Sequence, residues 1–176
     1  MADIAALTHA TGSFLKSDGA NWVLGTATAD SHARLTDEKA SGTNGGTFTA
    51  GAWQTRDINT ETDPDAIVTI SANQFTLGAG TYHIAASAGA AAVNAHQMRI
   101  YNITDSTVDL LGMSAFIGSL VNGTTYSHCD GDITIVGTKT FELQHRCNTT
   151  NANGFGVAAT LGNNEVYSQI LITKRN

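Results

Sequence analysis

The sequence is short of basic charge, bulky side chains and long apolar runs, and each shortage removes a class of function. Lys and Arg together number 9 against 15 Asp and Glu, for a formal net charge of −6. The basic residues are scattered and form no stripe that could track a phosphate backbone, which argues against nucleic-acid binding. Nowhere do ~18 apolar residues run uninterrupted, as a membrane-spanning helix requires. The N-terminal stretch MADIAALTHATGS has neither the basic segment nor the sustained apolar segment of a secretory leader. The expectation is therefore a soluble chain made in the cytoplasm. That expectation also removes meaning from the N-x-T sequons at Asn102, Asn122 and Asn148, which matter only in a secreted protein. Two cysteines do not make a disulfide scaffold.

Catalytic signatures are missing as well. There is no Gly-x-Ser-x-Gly elbow, phosphate loop, dinucleotide fingerprint or metalloprotease histidine pair. The six histidines are dispersed. No enzyme activity, cofactor or metal is expected; convergence of His83, His96 and an aspartate in space is the arrangement that would reverse this reading.

What the chain does have is glycine, 18 residues, together with abundant threonine and alanine. Much of the 41% hydrophobic fraction is alanine, and aromatics are only 7%. Such a composition favours strands and tight turns over helices. It also builds a lean core, for which an oligomer interface is a natural supplement. From Thr47 onward, turn signals recur about every eight to twelve residues, the spacing of an antiparallel sandwich or jelly roll. Candidate strands are Thr47–Ile58, Ile67–Ile70, Gln74–Leu77, Thr81–Ala88, His96–Ile103, Val108–Phe116, Thr124–Val136, Thr140–Cys147, Gly154–Leu161 and Val166–Lys174. The alanine-rich AASAGAAAVNAH reads as strand and loop, because Gly89 interrupts it and Tyr82 and Ile84 alternate into it.

Residues 1–44 read differently, as an arm ahead of a domain spanning 45–176. Within the arm, Phe14-Leu15 and Trp22-Val23-Leu24 flank a Ser17-Asp18-Gly19 turn, a hairpin signal. A two-stranded piece is marginal alone. It is either a local turn in a flexible tail or an apolar element that docks on another protein through Phe14, Leu15, Trp22, Val23 and Leu24.

Side-chain parity sharpens the picture. Ile133, Ile135, Phe141 and Leu143 share one face across a tight Gly137-Thr138 connection, as a half-buried hairpin would. That hairpin would set Cys129 and Cys147 nearly opposite one another. Two reduced core thiols, a cross-strand disulfide, or a zinc site with His128 and His145 all remain open, the first favoured. The Asp63/Asp65, Asp105/Asp109 and Asp130/Asp132 pairs lack the ligand count of a calcium loop and read as turn residues. In the last strand, Val166, Ile170 and Ile172 take one face, Tyr167 and Leu171 the other. A strand apolar on both faces implies that its second face meets another subunit.

The stretches GTFTAGAWQTRDINTE, ISANQFTLGAGTYHIAASAGA, HQMRIYN, KTFELQHRC and EVYSQILITKR resemble the trimeric jelly-roll domain of tailed-phage fibres, head fibres and capsid-decoration proteins. That domain is similar in topology to tumour-necrosis-factor and complement-type globular heads. The resemblance covers about residues 45–176 and brings no enzymatic site. It implies a homotrimer with Tyr82, Tyr167 and Leu171 near the threefold axis. In such a domain Trp53 would anchor the first strand in the core while Arg56 and Asn59 hydrogen-bond backbone groups where that strand leaves the sheet. The alternative is an exposed pocket at Trp53 and Arg56 that binds a sugar or a partner. The functional expectation is a structural protein on the virion exterior: a decoration or cement protein whose arm docks on the major capsid protein or another virion protein. The second expectation is a receptor-binding fibre tip whose loops 87–95, 102–107 or 148–153 contact host-surface glycans.

Overall fold

Alternating apolar and polar residues with no helical period leave the chain one way to bury its large side chains, by pairing strands into sheets and stacking them. The computed structural model describes residues 13–17, 19–20, 22–26 and 28–176. It divides into a small unit, residues 1–30 with Asn176, and a large one, residues 31–175. In the small unit β1 (Ser13–Ser17) pairs antiparallel with β2 (Trp22–Thr26), in register from Ser13↔Thr26 to Ser17↔Trp22. Leu15 there is exposed and Val23 half-buried, while the side chains of Phe14, Trp22 and Leu24 lie outside the described part.

The large unit is an all-β jelly roll with no helix among the described residues. Its strands are β3 (Ser31–Lys39), β4 (Gln54–Thr55), β5 (Thr60–Thr62), β6 (Val68–Ser71), β7 (Gln74–Leu77), β8 (Gly80–Ala91), β9 (Asn94–Asn102), β10 (Thr107–Leu111), β11 (Ala115–Ile117), β12 (Thr124–Ile135), β13 (Lys139–Cys147) and β14 (Glu165–Arg175). One sheet runs β12-β8-β14-β3-β5; the other runs β10-β9-β13-β7-β6, with β11 added on β9 and β4 on β13. Chain neighbours such as β8 and β9, or β12 and β13, fall in different sheets. The core lies between them, where Leu35, Ile84 and Ile170 from one sheet meet Phe75, Met98 and Phe141 from the other.

Several expectations change. Residues 31–39, read as part of the arm, are a strand of the five-stranded sheet, held by a nine-pair register against β14 from Glu165↔Lys39 to Lys174↔Ser31. Their charges hid a period-two core face of Ala33, Leu35 and Asp37. The expected strand at 47–58 shrinks to β4 and a single bridge between Phe48 and Asn151. The expected strand at 154–161 is loop, and that at 108–116 breaks at Gly112 into β10 and the start of β11. Ile133, Ile135, Phe141 and Leu143 are all buried, but the 136–138 connection crosses from one sheet to the other instead of closing a hairpin.

One buried cation ties the sheets together. The Arg56 backbone N–H donates to the Leu143 carbonyl of β13 at 2.8 Å. Its guanidinium crosses the core and donates to the carbonyls of Gly89 in β8 at 3.2 Å, Tyr167 in β14 at 3.0 Å and Phe155 at 3.1 Å. Asp37 of β3 lies 3.9 Å away as counter-ion and also meets Lys39 at 3.1 Å. Burial pulls the Arg56 pKa down to about 10, with Asp37 and Asp57 opposing, so it stays cationic at neutral pH. The Asp37 carboxyl is pushed up by burial, opposed by Arg56 and Lys39. The aromatic packing above is close: a Cβ on Gly156, at φ +151°, would lie 2.0 Å from the Tyr167 ring. Removing the guanidinium takes a donor from three carbonyls and leaves the buried Asp37 carboxylate with Lys39 alone. Arg56→Ala is expected to cost ~3 kcal/mol or more in urea unfolding; a loss below ~1 kcal/mol would contradict this role for Arg56.

Candidate functional site

No group of three or more His, Cys, Asp and Glu side chains among the described residues is placed to hold a metal. Cys129 and Cys147 are free, buried thiols in opposite sheets, which removes the disulfide and the shared zinc site. Burial pushes the Cys129 thiol up to about 11 and raises Cys147 as well, so neither is poised as a nucleophile. His83 and His96 also lie in different sheets. His83 contacts Asp132 at 2.8 Å and Asp130 at 3.4 Å on an exposed face, with Arg175 on the same Asp132. The remaining aspartates serve turns: Asp63 accepts from the Val68 N–H, and Asp105 and Asp109 accept from the Asn102 amide. What the fold offers instead is three surfaces.

The first is the outer face of the five-stranded sheet. β8 presents Ala85, Ser87 and Gly89 outward at its centre, so a trough runs between β12 and β14. A depression of about 230 Å³ there is lined by Ala85, Ser87, His128, Asp130, Gln169 and Leu171. Apolar side chains stand exposed along it: Tyr126 at 51%, Val166 at 43% and Leu171 at 44%. A β-bulge between Val166 and Ser168 inverts the parity of β14 there. It turns Val166 outward and Tyr167 inward, the reverse of what strict alternation predicts.

The second surface is the edge formed by β10, β11 and the loop beyond. Leu111, Met113, Phe116, Leu120 and Val121 are all more than half exposed. Apolar exposure of this density marks an interaction surface more often than a free one.

The third lies on the outer face of the larger sheet. Gln54 pairs with His145, and continuing that register sets Trp53 beside Arg146; Arg146 in turn pairs with Gln97 of β9. In the adjoining row the Arg99 guanidinium is stacked between Trp53 at 4.2 Å and Tyr101 at 4.5 Å, and is held by two hydrogen bonds to the Gln144 oxygen. A depression of about 220 Å³ is lined by Trp53, Ala95, His96, Gln97, Ser114, Arg146 and Asn148. Below it His96 and His145 share a 2.9 Å hydrogen bond, and the other His96 nitrogen meets Thr125. Burial, and then the nearby Arg56 charge, lowers His96 to about 4 and His145 to about 2.

Trp53 is thus half-buried on an outer surface instead of anchoring the core, and Arg56 is sealed inside, so the two never share a pocket. Asn59 grips the backbone of Glu38 with both ends of its amide, at 2.9 and 2.7 Å. Tyr82 is 1% exposed and its hydroxyl donates to the Gly78 carbonyl; Tyr167 is 7% exposed and donates to the Thr43 carbonyl at 2.6 Å. Both are filled in by their own chain, leaving Leu171 as the outward member of the expected trio. Arg99, Gln97, Arg146 and Tyr126 were not singled out by sequence reasoning, although Arg99 and Tyr101 share a parity in HQMRIYN that could have placed them on one outer face.

No family model and no curated protein matches the sequence. Solved structures do match in fold. The vertex protein P5 of phage PRD1 aligns over 97% of this chain and 85% of its own, with TM-score 0.52 at 13% identity. Murine APRIL aligns over 84% of this chain and 100% of its own, with TM-score 0.54 at 7% identity. The globular domain of zebrafish complement 1qA covers 82% and 95%, with TM-score 0.47 at 13% identity. The first two place the chain in the jelly-roll fold that the sequence resemblance implied. No helix among the described residues is long and apolar enough to cross a membrane.

The buried histidine pair makes stability depend on pH. Both folded pKa values lie below the ordinary 6.5, so above 6.5 the imidazoles are neutral in both states and contribute no pH dependence. Between 6.5 and about 4 the unfolded chain takes up protons that the folded chain refuses. Stability should fall there by about 1.4 kcal/mol per pH unit for each imidazole. Urea titrations at pH 7, 6, 5 and 4.5 measure it, and His145→Phe should flatten the slope; an unchanged slope in that variant would refute the assignment.

Proposed function

We propose that this chain is a non-enzymatic structural protein of a phage virion, a homotrimer that decorates the exterior of the head and is held there by its N-terminal segment. The observation that carries the reading is the outer face of the five-stranded sheet, where Val166, Leu171 and Tyr126 stand exposed around a trough of small residues. A second apolar patch at Leu111, Met113 and Phe116 lies on a different edge of the same chain. Two unlike patches suit a head-to-tail contact that closes into a ring, as threefold symmetry requires. The lean, alanine-rich core is consistent with a chain that gains burial by assembling. A vertex protein of phage PRD1 shares the fold over nearly all of this chain, which supports placing it on a virion.

In this reading the small unit, residues 1–30, is the attachment element, and its hairpin meets the major capsid protein or another virion protein by strand addition or apolar docking. A truncation must stop before Ser31, because β3 belongs to the sheet. A receptor-binding tip on a tail fibre is the second reading, favoured by the open depression beside Trp53.

Two experiments separate these. Purified virions labelled with antibody against residues 31–175 should carry label at many regular sites on the head; label confined to the tail would favour the fibre tip, and no label on any particle would reject both. A chain lacking residues 1–30 should remain folded and lose particle association. Capsid binding retained by that truncated chain would contradict the attachment role.

A further inference from the structure

We infer that the depression beside Trp53 binds one unit of a carboxylate-bearing saccharide. Trp53 lines it, and the Arg99 guanidinium stacked on the indole at 4.2 Å holds that side chain in place. A held, planar aromatic surface offers an apolar face to the C–H side of a sugar ring at little entropic cost. Around that wall stand polar groups with no partner of their own. Among the described residues the Arg146 guanidinium, the Asn148 amide and the Ser114 hydroxyl make no side-chain hydrogen bond, and Gln97 uses only its nitrogen, on the Gly112 carbonyl. Unpaired donors and acceptors lining the same depression as an aromatic side chain are what a polyhydroxylated ring needs.

Charge selects within that class. Arg146 is the only formal charge among the described residues that line the depression, and the chain as a whole is acidic at −6. A guanidinium facing solvent with no carboxylate of its own recognises a planar anion in two parallel hydrogen bonds. A volume of about 220 Å³ is smaller than the ~300–1,000 Å³ of sites for drug-sized ligands and admits one ring, with the rest of a chain running over the open sheet. Among the described residues that line it there is no carboxylate pair, and the inference is of binding alone.

This inference gives a ligand class to the receptor-contact reading and rests on it only for its biological setting. Sugar binding together with label on the head would keep the site and reject the tail tip. Tail label without sugar binding would do the reverse.

The test is calorimetric titration of the full chain with methyl β-glucuronide and 3′-sialyllactose, using lactose and a short peptide with a free C-terminal carboxylate as comparators. The acidic sugars should bind, and lactose at least tenfold more weakly. Arg146→Gln should weaken acidic-sugar binding at least tenfold with an unchanged melting temperature, since the side chain is exposed. Arg146→Lys, which keeps the charge and loses the fork, should fall between them. Absence of binding at millimolar sugar, equal binding of lactose, tighter binding of the peptide, or indifference to Arg146→Gln would each overturn the inference.

Discussion

A single buried guanidinium holds the two sheets in register. Arg56 hangs by its backbone from β13 and reaches through the core to carbonyls of β8 and β14, with Asp37 of β3 as counter-ion. An unpaired cation at that depth would be prohibitive, and each partner is present because the others are. Asp37 is buried only because Arg56 and Lys39 meet it. The Tyr167 carbonyl is presented where a bulge turns its side chain inward, over Gly156. The bulge, the glycine and the ion pair are therefore one device, and it fixes which residues of β14 face outward.

That choice governs the surfaces. With Tyr167 drawn in, Val166 and Leu171 are left outside beside the small outward residues of β8, and a trough flanked by apolar groups results. Alanines that thin the core on one side of β8 thin the outer face on the other. The opposite sheet has the contrary character: its outer face carries stacked Trp53, Arg99 and Tyr101 with glutamines between them. One face is suited to another protein subunit, the other to a hydrated ligand.

Much of this was legible in the sequence. Period-two alternation located β7 to its residues and β8, β9, β12, β13 and β14 to within a few, because those strands bury one clean face. The Asp-Gly turn located the β1–β2 pair. Strand β3 was missed because its core face includes Asp37, whose burial depends on an arginine distant in sequence. Tyr167 was placed on the wrong face because a bulge adds one residue, and nothing local marks it. Cys129 and Cys147 are the free buried thiols that were favoured, but their expected opposition failed for a topological reason: a short connection between two inward-facing strands closes a hairpin or crosses between sheets with the same side-chain parity. Trp53 was expected inside because the family resemblance implied it, whereas its stacking on Arg99 is visible only once β9 and β13 are neighbours.

The account stands on self-assembly through the outer face of the five-stranded sheet, and sedimentation equilibrium tests it most directly. The full chain at micromolar concentration should show the mass of three copies, and Leu171→Glu, which sets a charge in the trough without touching the core, should reduce it to one. A wild-type chain that sediments as a monomer, or a Leu171→Glu chain that stays trimeric, would contradict the account.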